Sequence, residues 1–244
     1  AQGSRLIAYR RPDAAYRWRM DTLILPDADA LARHAASLVE AEVAASDRLL
    51  LGLSGGSTPR RLHEELAGRG LDWDGVTAWI SDERWVPPSD DASNTRMARE
   101  TLTDLTGVRL LAPDTTLKNP AIAARAFADV VVPEMTRTDQ RSIVFLGLGA
   151  DGHTASLFPG TTALAAKGPS YVATFVPHMD TWRLTATYDL IALADLVVFL
   201  VVGASKADII REISDGGDHP AAAVSAREQV MWLLDEAAAS KLAS

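Results

Sequence analysis

Residues 49–66 read LLLGLSGGSTPRRLHEEL. Leu49–Leu53 is a compact apolar run of the length and character of a buried strand, and the glycine- and hydroxyl-rich residues 54–58 form a loop. A helix is expected to begin near Pro59, because proline at a helix's first turn gives up an N–H that has no intrahelical partner. This is one strand–loop–helix unit, and the chain on either side repeats it. Upstream, 23–25 is a short apolar run, followed by a helix opened by Asp27 or Asp29 and running to about residue 45. Downstream, the expected strands are Val76–Ile80, 142–148, 171–175, 196–202 and 230–234. Between and after them come helices at 93–104, 121–137, 205–213 and an alanine-rich C-terminal helix. Strands alternating with helices imply right-handed crossovers and a mainly parallel sheet covered on both faces. The expected fold is therefore α/β, with residues 20–244 as a single domain. The arginine-rich residues 1–19 (Arg5, Arg10, Arg11, Arg17, Arg19) read as a peripheral N-terminal extension.

Composition narrows the chemistry. The chain has 244 residues and no cysteine, which removes disulfides, thiolate zinc sites, iron–sulfur clusters and cysteine nucleophiles. With 24 Lys+Arg against 32 Asp+Glu the formal charge is −8, a poor balance for nucleic-acid or anionic-membrane partners, though not for a small anion held by a few local cations. No apolar run reaches the roughly 18 residues of a membrane span, and no hydrophobic leader opens the chain. A cytoplasmic protein is expected, with a monomer favoured.

Open α/β sheets bind ligands beyond the carboxyl ends of their strands, and four chemically loaded segments fall at such positions. Ser54-Gly55-Gly56-Ser57-Thr58 suits an anion cradle, since glycines permit close backbone approach and a helix N-terminus follows. It lacks the Gly-Lys-Ser/Thr ending of a Walker loop. Residues 52–56 also satisfy the G-x-S-x-G pattern with Ser54 as nucleophile, but Pro59 puts the helix start too late for an elbow. Asp82-Glu83-Arg84 places three successive charges after a strand, costly to bury unless paired or functional. In Gly147-Leu148-Gly149-Ala150-Asp151-Gly152-His153, the histidine has the setting of a general base. A G-x-G-x-x-G match at 147–152 has no acidic residue about 20 positions on to read a ribose, so no dinucleotide site is expected. Histidines 34 and 63 read as partly exposed helix residues. Arg183 and Lys206 complete the set, and Lys206, opening a helix against its dipole, calls for an anion or carboxylate partner.

Taken together, LGLSGGSTPRRLHEEL, WISDERWVPPSDDASNTRMARETL, FLGLGADGHTASLFPG, RLTATYDLIALADLVVFLVVGASKADII and the C-terminal HPAAAV and WLLDEAAA resemble the 6-phosphogluconolactonase family, within the wider glucosamine-6-phosphate isomerase/lactonase group. The deaminase branch resembles DGHxAFNEP, with an acid after the histidine, whereas this chain reads DGHTASLFP. The resemblance implies a Rossmann-like three-layer α/β/α sheet with a small peripheral lobe. It implies hydrolysis of 6-phospho-D-glucono-1,5-lactone in the pentose phosphate pathway, a sugar phosphate lactone as the only partner, and no metal or organic cofactor.

On that reaction His153 is expected to activate water and Arg84 to stabilise the oxyanion. Asp82 is expected to orient His153 or the sugar hydroxyls, with Asp151 the second candidate for orienting the histidine. Gly55, Gly56, Ser57, Thr58, Arg183 and Lys206 are expected to hold the phosphate, and Asn94 to contact the sugar. An aminosugar-phosphate isomerase, a serine esterase using Ser54 and a non-catalytic sugar-phosphate sensor are the alternatives. The lactonase reading requires Arg84, Arg183 and Lys206 to converge on one positive pocket.

Overall fold

Eleven strands and seven α-helices are built from residues 5–7 and 21–242, the part of the chain that this computed structural model describes. The strands are β1 (Arg5–Ile7), β2 (Asp21–Leu25), β3 (Leu49–Leu53), β4 (Val76–Ile80), β5 (Asp82–Arg84), β6 (Arg109–Leu111), β7 (Arg141–Leu146), β8 (Tyr171–Val176), β9 (Thr181–Ala186), β10 (Leu196–Val201) and β11 (Gln229–Asp235). The helices are α1 (Ala28–Ala45), α2 (Ser57–Gly68), α3 (Asn94–Ala98), α4 (Asp104–Thr106), α5 (Pro120–Met135), α6 (Tyr188–Ile191) and α7 (Ala207–Ser214).

The main sheet runs β1-β2-β11-β10-β7-β3-β4-β6, and all pairs but β1–β2 are parallel. Alternate strand residues face opposite sides, which splits the interior into two cores. Leu49, Leu51, Leu53, Ile143, Phe145 and Leu200 meet α1 and α2 on one face. Leu50, Val144, Leu146, Val197 and Phe199 meet α5, α6 and α7 on the other, where Phe199 stacks on its register partner Trp232 with centroids 3.8 Å apart. This is the expected three-layer α/β/α arrangement. From β3 the chain proceeds outward to β4 and β6, and from β7 outward to β10 and β11 in the opposite direction. The β3–β7 boundary is thus a topological switch point, where open sheets form their ligand crevice.

A second, antiparallel sheet in the order β5-β9-β8 forms the small lobe. Ser81 joins the two sheets: its N–H donates to Leu53 O at 2.8 Å in the large sheet, and its carbonyl accepts from Ala186 N–H at 2.9 Å in the small one.

Several local expectations need correction. Residues 82–84 are a strand rather than a loop, because β9 supplies their partner, and β6 and β9 were not expected. The 93–104 helix is interrupted by a π turn, Arg99–Thr103. No C-terminal helix forms: residues 236–242 follow turns, the first of them organised by the buried Asp235, which accepts from Ala238 N–H at 2.7 Å and Gly203 N–H at 2.9 Å. His63 is buried, not partly exposed, with Nδ1 3.2 Å from Thr101 Oγ1. Of the proposed N-terminal extension, residues 1–4 and 8–19 lie outside the described residues, while 5–7 add the edge strand β1. No helix among the described residues is long and apolar enough to cross a membrane.

Candidate active site

The carboxyl ends of β10, β7, β3 and β4, four neighbours in the sheet, open onto one cavity of about 260 Å³. Its wall is made by Ser54 and Gly55 after β3, Asp82 and Arg84 on β5, and Asn94 on α3. Gly147, Leu148, Gly149, His153 and Ala155 follow β7, and Lys206 follows β10.

The loop after β7 is folded tightly on itself. Gly149 N–H donates to His153 O at 2.8 Å, Gly152 N–H to Gly149 O at 3.1 Å, and Gly152 takes the left-handed φ of +79° that glycine alone adopts without strain. A side chain at Gly149 would collide with the His153 ring. The ring stacks on Phe158 with centroids 3.9 Å apart, and its Nδ1 lies 2.6 Å from Asp151 Oδ1. Burial pushes the Asp151 carboxyl up, but hydrogen bonds from the His153 ring and backbone outweigh this and hold it below the usual range. An ionised acceptor at Nδ1 leaves Nε2 as the nitrogen that can take a proton. The adjoining Ala155, on the cavity wall, sits at φ +46°, a region alanine disfavours.

Asp82 is buried and makes no hydrogen bond or ion pair with His153. Its Oδ2 accepts from Ser156 Oγ at 2.7 Å, while Asn94 Nδ2 donates to its backbone carbonyl at 2.7 Å. Between the two carboxylates expected to orient the histidine, Asp151 is the one in contact.

Two of the three expected cations share the cavity. Arg84 Nη1 donates to Ala92 O at 2.6 Å, and the Lys206 ammonium makes no hydrogen bond or salt bridge among the described residues. Arg183 is off the wall but directly opposite Arg84 in the β5–β9 register, buried, with Nε lacking a partner. Burial and then the Arg84 charge push its pKa down, with Asp82 and Glu83 opposing. Gly56, Ser57 and Thr58 are also off the wall. They open α2, where Gly56 at φ +110° caps the helix without a side-chain bond. Gly55 is on the wall, and a side chain there would collide with Asn94.

Ser54 does not form a nucleophile elbow. The non-glycine residues with positive φ among those described are Ala155 and Asp180, so the strained backbone of an elbow is absent, and Ser54 Oγ has no hydrogen-bond partner. Asn94, also a wall residue, likewise has a buried Oδ1 without a partner. Sequence reasoning assigned Glu83 no role, yet it is fully buried with four hydrogen bonds. The one available signal was the two-residue strand period, which sends it away from the side shared by Asp82 and Arg84.

Residues 26–232 match the family described as glucosamine-6-phosphate isomerases/6-phosphogluconolactonase. The chain belongs to this family. Among family members, a 6-phosphogluconolactonase of Nostoc sp. is 32% identical over 237 residues, 90% of this chain and 97% of the relative. One from Synechocystis sp. is 36% identical over 204 residues, 79% and 84% of the two chains. Solved structures agree. The devB protein superposes with a TM-score of 0.82 at 31% identity, covering 91% of this chain and 99% of that one. The 6-phosphogluconolactonase of Thermotoga maritima does so at 0.78 and 26%, covering 88% and 98%.

Proposed function

We propose that this protein hydrolyses 6-phospho-D-glucono-1,5-lactone to 6-phospho-D-gluconate, the lactone-opening step of the oxidative pentose phosphate pathway. The observation that carries the reading is a histidine held at Nδ1 by an ionised carboxylate in the same cavity as Arg84 and Lys206. Relatives named 6-phosphogluconolactonase at 32–36% identity support the substrate.

His153 Nε2 takes a proton from water as its oxygen attacks the lactone carbonyl carbon. Arg84 faces the oxyanion of the tetrahedral intermediate. That intermediate collapses by breaking the bond from the former carbonyl carbon to the ring oxygen, which leaves with the proton from the imidazolium. The product is a carboxylic acid that ionises, and His153 is neutral again. Asp151 holds the ring and stabilises its charged form. Asn94, Ser54 and Asp82 are the polar wall residues on the side of the sugar hydroxyls. Lys206 meets the phosphate, with Gly55, Gly56, Ser57 and Thr58 bringing up the N-terminus of α2 and Arg183 adding positive potential beside Arg84. Residues 154–158, Thr-Ala-Ser-Leu-Phe, put no acid after the histidine, which favours lactone hydrolysis over aminosugar-phosphate deamination. Every residue in this scheme comes from one chain, so a monomer suffices, and a soluble sugar phosphate fits a cytoplasmic enzyme of one domain over residues 20–244.

The test is acid release from freshly generated lactone, with spontaneous hydrolysis subtracted. The wild-type protein is expected to accelerate it, and Lys206→Ala to raise KM for the phosphorylated lactone while leaving the slow turnover of unphosphorylated gluconolactone unchanged. No acceleration by the wild type overturns the reading.

A further inference from the structure

Glu83 stands between two cavity residues and takes no part in the chemistry above. Asp82 and Arg84 line the cavity, and Glu83, on the other face of β5, is 0% exposed. A carboxylate in that setting is costly unless hydrogen bonds hold it. Its partners are neutral donors. Oε1 accepts from the N–H of Arg84 at 2.7 Å and of Asn94 at 2.8 Å. Oε2 accepts from Thr95 N–H at 2.7 Å and from the Ser93 hydroxyl at 3.1 Å. A carboxylate offers about four acceptor sites, so this one is saturated.

Three of those donors are consecutive residues at the start of α3, and the fourth is on Glu83's own strand. Ser93 Oγ accepts from Arg96 N–H at 3.1 Å and Glu83 takes the N–H groups of Asn94 and Thr95, so the start of α3 is capped jointly from its own N-cap and from β5. What the carboxylate does is tie β5 to segment 93–95, and two cavity side chains hang on that joint. Asn94, which lines the cavity, donates from Nδ2 to Asp82 O at 2.7 Å, while its Oδ1 is buried without a partner. Arg84 Nη1 reaches across the same joint to Ala92 O at 2.6 Å.

We propose that Glu83 is a positioning residue, which sets Asn94 where the substrate requires it and acts on the reaction only through that residue. The proposal rests on the lactonase reading for its kinetic test.

Glu83→Gln keeps the shape but replaces one acceptor oxygen with a donor, so two of the four donors lose their partner. The folded variant, checked by circular dichroism, is expected to lose roughly 10- to 100-fold in kcat/KM on the lactone. In a double-mutant cycle with Asn94→Ala, Glu83→Gln is expected to cost little more once Asn94 has gone, whereas independent effects would multiply. Wild-type kcat/KM in Glu83→Gln, or full multiplication in the cycle, overturns the proposal. If Glu83→Gln does not fold, Ser93→Ala removes one donor and leaves the carboxylate three. It is expected to cost roughly three- to tenfold, again only while Asn94 is present, and a loss independent of Asn94 counts against the proposal. A readout independent of turnover separates this proposal from the reading it rests on. The Asn94 side-chain amide resonances, identified by their loss in Asn94→Ala, are expected to shift or broaden in Glu83→Gln or, failing that, Ser93→Ala. Unchanged resonances overturn the positioning role even if the wild type is a lactonase. Shifted resonances with no wild-type turnover uphold the positioning and remove the lactonase reading instead.

Discussion

Arg84 and Arg183 lie directly opposite each other on β5 and β9, and neither forms a salt bridge among the described residues. Like charges facing across a strand pair are destabilising, and Arg183 carries the larger burden because it is buried with its Nε unpartnered. The pair makes sense as a fixed positive field prepared for an anion.

Replacing one member exposes that cost. Arg183→Met keeps the packing stem and removes the charge, so the ligand-free protein is expected to gain up to about 1 kcal/mol in stability. The thermal protection that 6-phosphogluconate gives the wild type should shrink in the variant. Melting curves with and without this product check both halves. A ligand-free Tm below that of the wild type, with protection unchanged, would argue that Arg183 is a packing residue.

His153→Ala is expected to lower kcat by roughly 10²–10⁴-fold, the range for removal of a general base. Asp151→Asn should lower kcat less, because the ring keeps its Phe158 stack while losing the charge at Nδ1. Asp82→Asn should act mainly on KM, since Asp82 bonds Ser156 and not the histidine. Steady-state rates on the three variants decide the order, and equal kcat for Asp151→Asn and wild type would leave the histidine without its orienting partner.

Gly149→Ala adds one methyl group where the His153 ring and the Asp151 carboxylate already sit. The ring must move, so kcat is expected to fall by at least tenfold, the scale of a small misplacement of a catalytic group. The fold should survive, because the loop follows β7 rather than lying within it. Wild-type turnover in this variant would show that the histidine's placement is not critical.

His63 supplies a pH effect unrelated to the cavity. Burial, and then the charge of Arg60, push its pKa down to about 4 from 6.5. The unfolded chain therefore binds this proton first as pH falls, and stability declines from pH 6.5 down to about 4, where the folded form also takes the proton. The full effect is on the order of 3 kcal/mol. His63→Leu removes it and leaves Thr101 Oγ1 bonded to Met97 O at 2.7 Å. Urea midpoints at pH 7 and 4.5 should differ less in the variant than in the wild type. An identical drop in both would show that His63 is not the titrating group.

The fold was largely legible. The runs 49–53, 76–80, 142–148 and 196–202 have the length and apolarity of buried strands, and each is followed by a glycine-rich or charged segment that reaches the cavity. The misses share one cause. Strand β5 reads as a charged loop because β9, about a hundred residues away, supplies its partner, and β6 is three residues long at a sheet edge. The alanine-rich end has helix propensity, yet residues 236–242 follow turns, with Glu236 N–H drawn to Leu25 O of β2 at 2.9 Å. His63 lies at an unremarkable helix position until the π turn at 99–103 brings Thr101 over it.

The sequence by itself determined the parallel α/β sheet, the loops that carry the chemistry and the residues within them, because strand period, glycine turns and helix starts are encoded over a few neighbouring residues. Only the tertiary structure decided how those residues divide the work. It put Asp151 rather than Asp82 on His153, set Arg183 against Arg84 instead of on the cavity wall, and turned Glu83 inward to tie β5 to the start of α3. These are relations of register and packing between distant segments, in which a one-residue shift reverses what each side chain meets.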